Sequence, residues 1–340
     1  MALRIVMMGT GGFALPTFRA ILESRHATVG VFTQPDRSGR GHHHHLNPLK
    51  ELAAERKIPV FQPEKVNLPE PLDQLRSLAP DVCVVAAYGQ ILSADLIGVP
   101  RLGFINVHAS LLPKYRGAAP IQTAILNGED ETGVTIFQIE PKLDAGPLLA
   151  LERTPIGPKE TAGELEARLA VVGAALTLRV LDQMEAGTTV PLLQDSTQAS
   201  RAPRLKKQSG QIDWNKTPRQ IDCQVRALQP WPTAFTTLVT QSPAGHPLES
   251  PLRLTLLEVA PAPPALLVSP ALPGAARSAT PPVPPGTVVL ADRKRLVVQT
   301  GQGTLEILRL RPEGKRTMSA TEFLAGHKVA AGDRFDAAVQ

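Results

Sequence analysis

Arg4-Ile5-Val6-Met7-Met8-Gly9-Thr10-Gly11-Gly12-Phe13-Ala14 decides how the front of this 340-residue chain is read. Ile5 to Met8 form an unbroken apolar run, as in a strand covered on both faces. Glycines follow at once, and Pro16–Ser24 then reads as a helix with proline in its first turn, where proline is tolerated. Strand, glycine turn and helix make the opening unit of a βαβ repeat. Gly9-Thr10-Gly11-Gly12-Phe13-Ala14 also satisfies the dinucleotide fingerprint with Ala in last place. That fingerprint needs an acid at the tip of the second strand to hold a ribose. The second strand, Ala27–Thr33, closes on Thr33-Gln34, and the first acid, Asp36, comes only after Pro35. The glycines are therefore read as a tight structural turn rather than a cofactor site.

The alternation continues outward from this unit. Asn47-Pro48 caps a helix reaching about Lys57, and Asp81–Tyr88 is a continuous apolar run. Gly103–Val107 is the next strand, Pro120–Leu126 a helix, and Gly133–Ile139 a further strand. This rhythm predicts an α/β fold, a Rossmann-like doubly wound parallel sheet. Thr161-Ala162-Gly163-Glu164 has capping-box spacing and opens a long helix to about Glu185. The rear changes character. Leu252–Val259, Gly286–Ala291, Leu296–Thr300 and Thr304–Leu310 are short strands with turn signals between them, as in a small β-barrel or sandwich. The expected division is a catalytic domain over residues 1–188, a basic linker over 189–208 and a β domain over 209–330. Trp214 and Trp231 are expected to be packing anchors, since tryptophan in such places is more often core than platform. Pro261–Pro285, with nine prolines and six alanines, is expected to form no ladder strands, and the tail after Gly332 to be loose.

Composition narrows the function classes. Charged residues are 20% and hydrophobic ones 43%, which is globular rather than disordered. The two cysteines, Cys83 and Cys223, lack metal-type spacing and read as buried, reduced thiols of a cytoplasmic protein. No signal-peptide core and no run of 18 uncharged apolar residues is present, so no membrane partner is expected. Residues 1–200 hold 18 Lys+Arg against 21 Asp+Glu, while residues 201–340 hold 18 against 10. A basic rear half suits a polyanion such as nucleic acid, although a solubilising surface would look the same.

The chemistry concentrates after the strand at Gly103–Val107. Asn106 and His108 are two apart, so an amide and an imidazole project side by side from one face at a strand end. A fixed donor beside a titratable ring suits carbonyl chemistry. Asp144 follows the strand Val134–Ile139, and residues past the carboxyl ends of neighbouring parallel strands converge. An aspartate there would fix the tautomer of His108 and stabilise its imidazolium. Ser110 lies in no Gly-x-Ser-x-Gly elbow, so the nucleophile is expected to come from a substrate. Four consecutive histidines, His42–His45, lie in a loop with Arg37 and Arg40. Consecutive residues of an extended loop diverge and no partner spacing accompanies them, so no metal is expected.

Together these residues resemble the methionyl-tRNA formyltransferases, a family of folate-dependent enzymes, over almost the whole chain. The likeness rests on Gln34-Pro35-Asp36-Arg37, Ala86–Leu92, Asn106 through Pro120, Glu131–Ile136, Leu143-Asp144-Ala145-Gly146, Pro230-Trp231-Pro232 and Gly314-Lys315. The resemblance implies transfer of the formyl group of 10-formyltetrahydrofolate to the α-amine of methionyl-initiator tRNA, for translation initiation. It implies that the rear domain is OB-like and holds tRNA, that the catalytic trio is Asn106, His108 and Asp144, and that folate meets Ser110, Leu111, Leu112 and Pro113. Candidate tRNA contacts are Arg37, Arg40, Arg201, Arg204, Lys206, Lys207, Lys315 and Arg316, in a protein expected to act as a monomer. Two departures stand out: Gly11-Gly12 replaces the family's usual turn, and His42–His45 replace its lysine-rich loop. Other readings are a folate-using enzyme acting on a small amine, an NAD-dependent oxidoreductase resting on Gly9–Ala14, and a pure RNA-binding module.

Overall fold

The computed structural model describes residues 1–36, 47–240, 251–262 and 283–336. They fall into two compact units. Unit 1 takes Met1–Ala124, Asp130–Gly157 and Glu164–Arg204, and unit 2 takes Ile125–Glu129, Pro158–Gly163 and the chain from Leu205 onward.

In unit 1, β1 (Arg4–Gly9), β2 (Ala27–Phe32), β3 (Val60–Phe61), β4 (Val82–Ala86) and β5 (Phe104–His108) run parallel. After a short strand β6 (Arg116–Gly117), the chain returns to the sheet as β7 (Glu131–Gln138) and β8 (Leu148–Pro155). The strand order is β3-β2-β1-β4-β5-β7-β8. The unbroken apolar runs end up where two-sided burial demands them: all five residues of β4 and the last five of β1 are buried. Helices α1 (Ala14–Glu23), α2 (Pro48–Glu55), α3 (Pro69–Ser77), α4 (Ala94–Ile97) and α5 (Pro120–Leu126) connect the strands. The Asn47 side chain accepts the Lys50 N–H and caps α2. The long helix α6 (Ala162–Ala186) packs behind β5, where a Cβ added at Gly173 would lie 2.8 Å from Val107 Cγ1.

β5 and β7 are antiparallel, with Ile105 opposite Gln138 and His108 opposite Thr135. This corrects the argument from parallel strand ends. The connection after β7 starts beside Phe104, whose carbonyl accepts the Ile139 N–H at 2.8 Å. It starts at the opposite end of β5 from His108, so Asp144 can reach the imidazole only if the loop doubles back over the sheet.

In unit 2, α7 (Pro218–Ala227) precedes a sheet of β10 (Ala234–Val239), β11 (Leu252–Ala262), β12 (Val288–Ala291), β13 (Leu296–Gln299) and β14 (Thr304–Pro312). The ninth strand, β9 (Arg201–Ala202), belongs to unit 1, where it pairs with β6. The unit 2 sheet is antiparallel in the order β12-β13-β14-β11-β10-β16, where β16 is Arg334–Asp336. A short β15 (Met318–Ser319) pairs with β14 and leads into α8 (Ala320–Gly326). Phe335 N–H donates to the Gly286 carbonyl at 2.7 Å and Val288 N–H to the Asp333 carbonyl at 2.8 Å, which nearly closes the sheet into a barrel. Its core holds Trp214, Leu254, Leu256, Val298, Ile307, Phe323 and Phe335.

Three expectations are corrected here. The tail after Gly332 is not loose as far as it is described. Phe335 packs against Trp214 in the core, ring centres 5.5 Å apart and planes tilted by 35°, and β16 completes the edge of β10. Pro261 and Ala262 do join the ladder, opposite Leu305 and Thr304. Trp214 is a buried anchor whose Nε1 donates to Thr236 Oγ1, whereas Trp231 is 52% exposed. Residues 263–282 of the proline-rich stretch lie outside the described residues.

Candidate active site

A cavity of about 580 Å³ in unit 1 is bounded by the ends of β4 and β5, the starts of α1 and α5, and the loop after β7. Asn106 and His108 stand on one face of β5 and both line it, with Asp144 opposite. Ile105 and Val107 project to the other side and are buried. The apolar wall comes from Phe13, Val85, Leu92, Ile121, Phe137 and Leu143.

His108 is buried, 5% exposed, with its ring edge against Phe137. Its Nε2 lies 3.0 Å from the Tyr115 carbonyl. A carbonyl can only accept, so the neutral ring carries its proton on Nε2 and turns the bare Nδ1 toward Asp144. The Asp144 Oδ2 is 3.9 Å from Nδ1, too far for a hydrogen bond but close enough to stabilise a proton arriving there. Burial pulls the His108 pKa below its ordinary value, while Asp144 and the Tyr115 carbonyl pull the other way. The net direction is down, so the ring is neutral at pH 7 and can accept a proton.

Asp144 is held from both sides. Its backbone has φ +48°, a conformation that only a constrained side-chain-bearing residue keeps. Its Oδ2 accepts the Gly117 N–H at 2.8 Å. Gln194 Nε2 donates to the carbonyls of Asp144 at 3.0 Å and Gly146 at 2.8 Å. Arg116 in turn donates to Gln194 Oε1 through Nε at 3.2 Å and Nη2 at 2.7 Å. These bonds fold the loop back to His108. Among the described residues the Asn106 side chain has no hydrogen-bond partner, so its N–H donors are available to the cavity. None of the cavity's lining residues is a Ser, Thr, Cys or Lys, so no hydroxyl–imidazole or thiol–imidazole pair of the acyl-enzyme kind is present in it.

Ser110, Leu111, Leu112 and Pro113 are not brought to this cavity. Ser110 is fully buried and its hydroxyl donates to the Lys114 carbonyl at 2.7 Å. Thr135 Oγ1 donates to the Ser110 carbonyl at 2.7 Å and accepts the Leu112 N–H at 3.2 Å. The run thus pins the turn that carries Tyr115 and Gly117 beneath His108 and Asp144. The cavity is further lined by Tyr88–Leu92 and by Ile139, Glu140, Pro141 and Leu143.

The other candidates are scattered. Arg37, Arg40 and His42–His45 lie outside the described residues. Arg201 and Arg204 are exposed in unit 1. Lys206, Lys207 and Lys315 are exposed in unit 2, whereas Arg316 is paired with Glu322 at 2.8 Å. At the tip of β2, the site of a ribose-binding acid in a dinucleotide fold, stands Thr33, bonded to Thr10 and Asn47. Asp36 is bonded to Lys50 and Gln62.

Among the described residues one cluster has metal-ligand composition, His26 with Asp182 and Glu185. The Leu3 N–H donates to His26 Nδ1 at 3.2 Å, so the neutral ring carries its proton on Nε2, the atom facing Asp182. Arg25 pairs with both carboxylates, and the cluster reads as an ion-pair network. No described helix is long and apolar enough to cross a membrane.

Sequence reading missed Gln194, Thr135 and Glu166. Gln194 carries no local signal, because its partners lie about fifty residues away in the chain. Thr135 does carry one: a hydroxyl inside the apolar run Val134–Phe137 must be buried and bonded. Glu166, on α6, also lines the cavity, and burial pushes its carboxyl pKa up.

Residues 3–181 match the formyl transferase family and residues 204–328 match the formyl transferase C-terminal domain. Among curated proteins, the chain is 42% identical over 329 residues to the methionyl-tRNA formyltransferase of Methylococcus capsulatus, covering 96% of this chain and 98% of that one. It is 43% identical over 330 residues to the methionyl-tRNA formyltransferase of Trichlorobacter lovleyi, covering 97% and 96%. Among solved structures, WlaRD, a sugar 3N-formyl transferase studied in the presence of dTDP and 5-N-formyl-THF, superposes with a TM-score of 0.63 at 18% identity. That match covers 93% of this chain and all of WlaRD. HypX from Aquifex aeolicus, in complex with tetrahydrofolic acid, gives 0.58 at 15% identity and covers 95% of this chain and 47% of HypX. At such identities the two structures speak for the fold alone.

Proposed function

The chain belongs to the formyl transferase family, and from that premise we propose that it moves the formyl group of 10-formyltetrahydrofolate to the α-amine of methionyl-initiator tRNA. The observation that carries this reading is the cavity itself: a free amide donor and a neutral buried imidazole, with an aspartate opposite and no Ser, Thr, Cys or Lys among the lining residues. Such a set suits direct transfer between two bound molecules. The likeness to proteins named methionyl-tRNA formyltransferase, over nearly the full length of both chains, favours the charged tRNA as acceptor.

In this mechanism the pterin end of the folate lies along Tyr88–Leu92 and beside Ile139, Glu140, Pro141 and Leu143. The methionyl amine attacks the formyl carbon, and negative charge grows on the former formyl oxygen. Asn106 donates to that oxygen, an interaction worth about 3 kcal/mol in comparable sites. His108 accepts the amine proton on Nδ1, and the imidazolium forms facing the Asp144 carboxylate. The C–N bond to the folate then breaks, and the same proton goes to the departing folate nitrogen. Ser110–Pro113 hold the turn beneath the site, and Leu111 and Pro113, half-exposed on it, are the part of the run open to the folate. No metal and no covalent intermediate takes part. In this reading unit 2 meets the body of the tRNA, and the protein acts as a monomer in the cytoplasm.

The acceptor is tested by offering the purified protein 10-formyltetrahydrofolate with methionyl-initiator tRNA, the uncharged tRNA, or a nucleotide-linked amino sugar. The expected outcome is formylation of the charged tRNA alone. Efficient formylation of the amino sugar would replace this reading with that of a small-amine formyltransferase.

The lowered His108 pKa gives a pH signature. The neutral ring is the active form, so the chemical step is flat above pH about 7 and falls as acid protonates His108 below its usual range near 6.5. Asp144 raises the His108 pKa, so Asp144→Asn moves that fall to still lower pH. Single-turnover rates against pH for both proteins check this. An inflection that stays put in the variant would assign it to the substrate amine.

A further inference from the structure

Trp231, expected in the core, stands 52% exposed at the rim of a second cavity of about 580 Å³, which lies wholly within unit 2. Its floor is the outer face of three adjacent strands. Phe235 of β10 lies opposite Thr255 of β11, and Thr255 opposite Arg311 of β14, so the three side chains form a row across the sheet. Arg253 is two residues before Thr255 on the same face, and its guanidinium carbon lies over the Phe235 ring, 3.9 Å from the ring centre. Lys207, Lys315 and the exposed carboxylate of Glu313 complete the charged lining. Four cations therefore face one acid. Among the described residues none of the four cations has an ion-pair partner.

An exposed indole beside a row of unpaired cations is unfavourable for a surface that meets only water. It matches the chemistry of an unpaired nucleotide: a flat base for the indole, and phosphates for the arginines and lysines. A duplex would offer the phosphates but keep its bases stacked away from Trp231. We propose that this cleft is a single-stranded RNA subsite in which Trp231 stacks on an unpaired base while Arg253, Arg311, Lys207 and Lys315 hold the flanking phosphates. The inference rests on the reading that unit 2 meets an RNA substrate, and it names the part of that substrate the cleft takes. Arg253 pre-set on Phe235 loses little freedom on binding, and Pro230 and Pro232 flank the indole and restrict its backbone.

The test uses the full chain and two probes, a single-stranded oligoribonucleotide of about eight nucleotides, within the site size of one such barrel domain, and the same sequence as a blunt duplex. Tryptophan fluorescence reports binding, since Trp214 is buried and only Trp231 is open to a stacking base. The single strand should quench wild-type fluorescence and bind more tightly than the duplex. Trp231→Ala should weaken it at least about tenfold, the range for one lost base stack. Trp231→Phe, which keeps a ring, should retain most of the affinity, and Arg311→Gln with Lys315→Gln should flatten the salt dependence. Trp231 is exposed, so its variants should keep the wild-type melting temperature. Equal affinity in Trp231→Ala, or a duplex that binds as well as the single strand without quenching, would overturn the proposal. Either result beside intact formylation of methionyl-tRNA removes this subsite alone. Stacking on Trp231 in a protein that does not formylate methionyl-tRNA removes the proposed acceptor alone.

Discussion

His108→Ala lowers the single-turnover rate of formyl transfer by at least about a hundredfold, the usual worth of a positioned acid–base group, while folate and tRNA still bind. The ring is neutral at pH 7, bonded on one nitrogen and bare on the other. Without it the proton must leave the amine for water, in a cavity whose walls are largely apolar. Asn106 makes a parallel case that separates chemistry from packing. Asn106→Ala should cost about a hundredfold to a thousandfold by removing a donor from the developing oxyanion. Asn106→Asp keeps the shape but replaces a donor with a like charge, so it should lose at least as much. If Asn106→Asp transferred formyl at the wild-type rate, the amide would be structural and the oxyanion would have to be stabilised elsewhere.

Gly117→Ala is the second large effect, and it acts at a distance from the reacting atoms. Gly117 has φ +124°, a conformation costly for any residue with a side chain, at about 1–3 kcal/mol. A Cβ there would sit 2.5 Å from the Ala202 carbonyl oxygen, inside the β6–β9 pair. Relief requires that pair to open, and opening it moves the Gly117 N–H away from Asp144. The aspartate then loses the bond that aims it at His108. The expected result is a rate lower by about tenfold to a hundredfold, as for a misplaced catalytic group, with a lowered melting temperature and folate affinity changed much less. Stopped-flow transfer and thermal melting measure the two parts separately. A destabilised variant that reacts at full rate would show that Asp144 does not depend on this anchor.

The parts of the fold that follow from local pattern were legible in the sequence. Unbroken apolar runs at Val6–Met8 and Val82–Ala86 required two-sided burial, and Asn47-Pro48 required a helix start. The pairing of Asn106 with His108 followed from the two-residue period of a strand alone. Orientation was not legible: nothing in Glu131–Gln138 announces that β7 runs against β5, because an apolar strand reads the same in both directions. The site of Asp144 was therefore anticipated from a parallel geometry the sheet does not have. Its true support, Gln194 and Arg116, is a long-range bond network with no periodic signature. Trp231 failed for a similar reason. Its neighbours on the cleft, Arg253 and Arg311, come from strands distant in sequence, and only their register places two cations and an aromatic on one face. Phe335 looked like part of a tail because three residues carry no period, yet burial against Trp214 makes them a strand.

Direct transfer without a formyl-enzyme is the claim on which the rest depends. The measurement is a rapid-quench experiment with formyl-labelled 10-formyltetrahydrofolate, run with and without methionyl-initiator tRNA. With the charged tRNA, label should pass to the methionyl amine in a single phase, with none in the protein at any time. Without it, no tetrahydrofolate should be released. Label trapped in the protein, a burst of tetrahydrofolate in the absence of tRNA, or failure of the methionyl amine to accept the label would contradict it.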